Sequence, residues 1–92
     1  MLFVVVEHFK AGSLEAVCER FRAKGRMLPE GVNYHASWVT PDGARCFQVM
    51  ESPSRELLQE WMRKWEDLVE FEVDPLLTSS DFWADYETSH RP

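Results

Sequence analysis

Residues 2–9, Leu-Phe-Val-Val-Val-Glu-His-Phe, carry apolar side chains at both parities of a β-strand. Phe3, Val5 and Phe9 point one way, and Leu2, Val4 and Val6 point the other. A strand that borders water on one side alternates apolar with polar, so a doubly apolar strand asks for cover on both of its faces. The segment Ala44–Glu51 repeats the pattern, with Phe47 and Val49 opposed to Cys46 and Met50. Any fold for this chain has to bury two such strands.

The elements follow from local signals. Ala11-Gly12-Ser13 ends the first strand, and Ser13 is placed to cap a helix. Leu14, Val17, Cys18 and Phe21 recur at helical spacing, opposite Glu15, Glu19, Arg22 and Arg26, with Gly25 as the C-terminal stop. Val32–Thr40 and Ala44–Glu51 flank Pro41-Asp42-Gly43, a hairpin turn signal. Ser52-Pro53 suits the N-cap and first turn of a second helix, whose stripe is Leu58, Trp61, Met62, Trp65 and Leu68. Val69–Leu76 alternates Val69, Phe71 and Val73 with Glu70, Glu72 and Asp74. Ser79-Ser80-Asp81 starts a short terminal turn bearing Phe82, Trp83 and Tyr86.

Strand, helix, hairpin, helix, strand is the ferredoxin-like β-α-β-β-α-β order, an α+β fold with a four-stranded antiparallel-type sheet and two helices on one face. Right-handed crossovers put the first and third strands at the centre, expected parallel, with the second and fourth at the edges. Residues 1–78 form the domain, and residues 79–92 form an extension of one helical turn and a loose tail. Because two helices cover one face only, the second face is expected to meet the same face of another chain, giving a homodimer.

The segments Arg20-Phe21-Arg22, Gly25–Gly31 (Gly-Arg-Met-Leu-Pro-Glu-Gly), Ser37-Trp38-Val39, Arg45–Gln48 and Leu57–Trp61 resemble a bacterial family known only as a domain of unknown function. The resemblance spans residues 1–80 and places that family within the dimeric α/β-barrel superfamily. That group includes antibiotic-biosynthesis-type monooxygenases, muconolactone isomerase, stress-responsive barrel proteins and haem-binding chlorite-dismutase-like proteins. It implies the fold and a pocket between sheet and helices, but no particular activity.

Ten Lys and Arg against sixteen Asp and Glu give a net charge of −6, which opposes binding to nucleic acid or an anionic membrane. The one basic cluster, Arg20, Arg22, Lys24 and Arg26, reads as a solvated helix end matched to the dipole, with an anion-binding patch as the alternative. Met1–Phe9 lacks the basic flank and cleavage site of a signal peptide and is too short to span a membrane. Cys18 and Cys46 fit buried thiols in a reducing compartment, so a cytoplasmic location is expected.

Pairing the hairpin about Asp42-Gly43 places 38 opposite 47, 37 opposite 48 and 35 opposite 50. One face then collects His35, Ser37, Val39, Cys46, Gln48 and Met50. Ser37 and Gln48 are candidate ligand-binding residues, and Trp61 and Trp65 could wall a planar ligand. The alternative for Ser37 and Gln48 is a hydrogen-bonded core network or a strand end open to solvent, and for the two tryptophans it is core packing. His35, Glu7 and Glu51 are the candidate proton-handling groups, the two carboxylates being expected near the ends of neighbouring parallel strands. Cys46 and His35, four pairs apart at about 3.3 Å per step, are too distant for a nucleophile pair. His8, His35 and His90 share no ligand spacing, and no metal or other cofactor is expected. Three functions stay open. They are a dimeric binder of a small apolar ligand with a passive or sensing role, a cofactor-independent oxygenase- or isomerase-like enzyme on an apolar or aromatic substrate, and a protein-interaction module. A cavity walled by His35 or Glu7 favours the enzyme, and a solid helix–sheet interface favours the module.

Overall fold

The computed structural model describes residues 1–90. The elements are β1 (Leu2–Phe9), α1 (Leu14–Lys24), β2 (Asn33–Val39), β3 (Arg45–Glu51), α2 (Arg55–Arg63), β4 (Val69–Leu76) and α3 (Ser79–Ser89). The sheet has four strands in the order β2-β3-β1-β4, and every neighbouring pair is antiparallel. The central β1 and β3 are therefore antiparallel, not parallel. The crossover through α1 lays β2 parallel to β1 at the edge, and the hairpin returns β3 between them in the opposite sense.

The helices cover the face that carries Phe3, Val5 and Met50, which form the core with Val32, Leu58, Trp61 and Trp65. Val69, Phe71 and Val73 of β4 turn the same way, while Glu70, Glu72 and Asp74 are exposed. The buried indoles are satisfied, because Trp61 Nε1–H and Trp65 Nε1–H both donate to the Arg26 carbonyl, at 2.9 and 3.1 Å. Lys64 Nζ adds a bond to the next carbonyl, Met27, at 2.9 Å. Three donors from α2 and the turn after it thus hold the loop between α1 and β2. Within that loop Met27 has φ 59°, a left-handed conformation uncommon for a side chain of its size. Arg20 also ties α1 to the segment after α2, through two bonds to the Asp67 carboxylate at 2.8 and 2.7 Å.

Several local expectations shift. The second helix starts two residues later than Ser52-Pro53 suggests. Ser54 is its N-cap, accepting from the Leu57 N–H, because Ser52 Oγ is spent on the Ser54 carbonyl. Trp65 consequently lies just beyond the helix, in the turn that leads to β4. Ser13 precedes α1 but makes no side-chain cap bond. The terminal turn is an 11-residue helix, α3, capped by Thr78 through the Asp81 N–H. His90 closes α3 and stacks on Tyr86 rather than lying in a tail. The rest of the expected tail, residues 91 and 92, lies outside the described residues.

The helix α1 departs most from its pattern. None of its residues is buried, and Leu14 and Phe21 are half exposed despite their helical stripe. The reason is a space between α1 and the sheet.

Candidate functional site

That space is a pocket of about 170 Å³ at the Phe9 end of β1. Its floor is the sheet, with Glu7 and Phe9 from β1, Ser37 and Val39 from β2, and Cys46 and Gln48 from β3. Its walls are Val17 and Phe21 of α1, Arg26 of the following loop, and Trp61 and Trp65. Period-two alternation brings the floor together. Glu7 pairs with Cys46, and Val39 pairs with Cys46 from the other side, so three strands aim odd or even positions at one point.

Glu7 and Gln48 are the buried polar pair of this floor, exposed by only 8% and 4%. Gln48 Nε2–H donates to Glu7 Oε1, and the carboxyl group, also bonded by the Cys46 thiol, lines the pocket. Burial raises the Glu7 pKa above its ordinary 4.5, against the lowering effect of bonds from Cys46 and Gln48 and of the Arg26 charge. Cys46 is pushed up to about 12, first by burial and then by the adjacent Glu7 carboxylate. It is a neutral thiol at physiological pH, not a nucleophile. Beside it, Ser37 Oγ and Tyr34 Oη lie 2.7 Å apart in a hydrogen bond. The Arg26 guanidinium stacks 3.6 Å above the Tyr34 ring and 5.1 Å from Phe21. The result is an apolar slot with one carboxyl group on its floor and one cation fixed near its rim.

Of the residues singled out from sequence, Glu7, Ser37, Gln48, Trp61 and Trp65 meet here. His35 and Glu51 do not. A bulge in β2 between Tyr34 and Ala36 inserts one residue, so Tyr34 rather than His35 pairs with Met50. The bulge turns Tyr34 inward and His35 outward, where its ring nitrogen meets Glu51 at 2.9 Å on the exposed side. Glu51 is opposite Leu2, at the far end of the sheet from Glu7, so the two carboxylates cannot share a proton. His35 and Cys46 are separated by the sheet itself.

Arg26, Val17 and Phe21 are the pocket residues that sequence reasoning missed as such. The signal for Val17 and Phe21 was the apolar stripe of α1, which reads as core unless the helix stands off the sheet, whereas Arg26 read as part of a solvated basic helix end. Among the described residues, no group of three or more His, Cys, Asp or Glu is placed to hold a metal ion. Among the same residues, no helix is long and apolar enough to cross a membrane.

Comparison with known proteins adds fold and family. Residues 1–87 match DUF3303, a domain of unknown function. The structure is similar to that of protein Atu4242 from Agrobacterium tumefaciens, with a TM-score of 0.50 and 11% identity over 86% of this chain and 96% of that one. It is similar also to Rv0793 from Mycobacterium tuberculosis, with a TM-score of 0.50 and 16% identity over 85% and 97%. Both support the fold alone. No curated protein matches the chain.

Proposed function

The chain belongs to the DUF3303 family, and from this site we propose that it is a homodimeric binding protein for an uncharged, single-ring aromatic molecule bearing a hydroxyl group. The observation that carries the proposal is the pocket itself, hollow at about 170 Å³ and mostly apolar, with Glu7, Gln48 and Ser37 on its floor and Arg26 at its wall. An engineered cavity of roughly 150 Å³ lined by apolar side chains accommodates benzene. The indoles of Trp61 and Trp65 suit a planar ring, and the Glu7 carboxyl group accepts a hydroxyl hydrogen. An anionic ligand would bring like charge against Glu7 in a poorly solvated floor.

Calorimetric titration with phenol and with benzoate tests the assignment. Phenol is expected to bind, more tightly as Glu7 ionises, and Glu7→Gln is expected to weaken it about tenfold, as a neutral acceptor replaces a charged one. Tighter binding of benzoate than of phenol would move the anchor to Arg26 and overturn the proposal.

The dimer rests on the outer sheet face. Val4 and Val6, Phe47 and Val49, and Ala36 with the 62%-exposed Trp38 lie there as adjoining cross-strand neighbours. The same face of a second copy covers them at the cost of no new element. Two free cysteines, one exposed and one buried, suit a reducing bacterial cytoplasm.

A second reading shares the site. A buried carboxyl group with a raised pKa, at the wall of an apolar pocket, is also the arrangement of a general base. On this reading Glu7 takes a proton from the bound ring in a cofactor-independent reaction. Turnover, rather than binding alone, would distinguish it.

A further inference from the structure

Two unpartnered features of this chain match each other. The first is α3, every residue of which is exposed. Phe82, Trp83 and Tyr86 pack edge-on or stacked with one another, at centroid distances of 5.0–6.4 Å, with His90 stacked on Tyr86, yet all three rings stay about half exposed. The helix carries Asp81, Asp85 and Glu87 and no Lys or Arg. The second feature is the rim of the pocket, where Phe21 and Val39 are 44% and 57% exposed. Arg22 and Lys24, next to Phe21, make no ion pair among the described residues.

The two features lie at opposite ends of the molecule. The strand β4 ends at Leu76 beside Leu2, and the pocket opens by Phe9 and Val39, about 23 Å away along the sheet. Leu77 and Thr78 alone link β4 to α3, so α3 starts within about 10 Å of Leu76. The chain is accordingly drawn out to 56 Å along its longest axis. None of these rings lines the chain's own pocket.

We infer that α3 docks, aromatic side down, on the pocket rim of a second copy, so that each site is completed by Phe82, Trp83 and Tyr86 of the partner. This rests on the dimeric reading above and specifies it. Charge favours the rim over the outer sheet face as the place where α3 lands. The rim offers Arg22 and Lys24 to an acidic helix, whereas the outer face is edged by Glu70, Glu72 and Asp74. The geometry also fixes the symmetry. A dyad lying in the plane between the sheets and across the strands sets the Leu76 end of one copy beside the Phe9 end of the other. Sheets packed face to face are about 10 Å apart, and beyond that gap α3 rounds the Phe9 end of the partner's sheet to reach the pocket on its helix side. The pocket is then a closed, two-chain site, and its ligand is shielded from water by rings of the partner.

Cys18 provides a native reporter, since it lies exposed on α1 one turn from Leu14 and Phe21. Tyr86→Cys in the full chain, treated with a short bismaleimide, is expected to give a covalent dimer joining position 86 to Cys18. The product should vanish in Tyr86→Cys with Cys18→Ser and fall several-fold when Arg22 and Lys24 are both changed to Glu. Light scattering on the untreated protein separates the possible failures. A dimer that yields no 86-to-18 link, or only an 86-to-86 link, overturns the docking of α3 and leaves the sheet-face dimer standing. A link within one chain overturns it as well. A monomer overturns both readings together.

Discussion

Glu7 concentrates the chemistry of this chain in one carboxyl group. Its pKa is raised in the folded protein, so the folded chain holds this proton more firmly than the unfolded chain does. The stability gained is complete below about pH 4.5, and it is lost as pH rises through the folded-state value. Glu7→Gln keeps an acceptor for Gln48 and removes the titration. Thermal melts from about pH 4 to about pH 8 should therefore show the wild type losing stability relative to Glu7→Gln as pH rises. Parallel curves would mean that the carboxyl group is better solvated than its 8% exposure indicates. At this scale the sequence was informative about which residues share a strand face. Glu7, Ser37, Gln48, Trp61 and Trp65 were all legible by parity or helical spacing. His35 was not, because a bulge shifts parity by one and no glycine or proline marks this one.

At the scale of elements, β1 and β4 begin and end where their composition indicates. Helix starts were harder, because several cap-competent residues crowd each one. Ser52 and Ser54 compete before α2, as do Thr78, Ser79 and Asp81 before α3, and local side-chain bonds decide the cap in each case. Ser54→Ala should cost about 1 kcal/mol in a denaturant titration, whereas Ser52→Ala removes the bond that shapes the turn before it. The stand-off of α1 was illegible for a different reason. An apolar stripe specifies that a helix has a face to cover, not whether protein, ligand or a second chain covers it. The left-handed Met27 and the three donors onto Arg26 and Met27 hold this loop to α2 and the turn after it.

The whole molecule is a sheet with one face packed and the other apolar and bare. Val5 is fully buried and Val4 is its outward neighbour on the same strand. Val4→Lys should leave the fold intact by circular dichroism and halve the mass measured by light scattering. Val5→Lys should instead abolish folding, since it buries an unpaired charge in the core. Equal effects would remove the distinction between the two faces on which the proposed dimer depends. The central claim, however, is that the interface between helices and sheet is hollow and receives a ring. The protein has four tryptophans, two at the pocket and two, Trp38 and Trp83, exposed elsewhere. A titration with phenol followed through the four indole N–H resonances reads the pocket against Trp38, on the outer sheet face, as control. Saturable shifts largest for Trp61 and Trp65, and weakened by Glu7→Gln, are the predicted result. Indole resonances of Trp61 and Trp65 that stay fixed throughout the titration would contradict it.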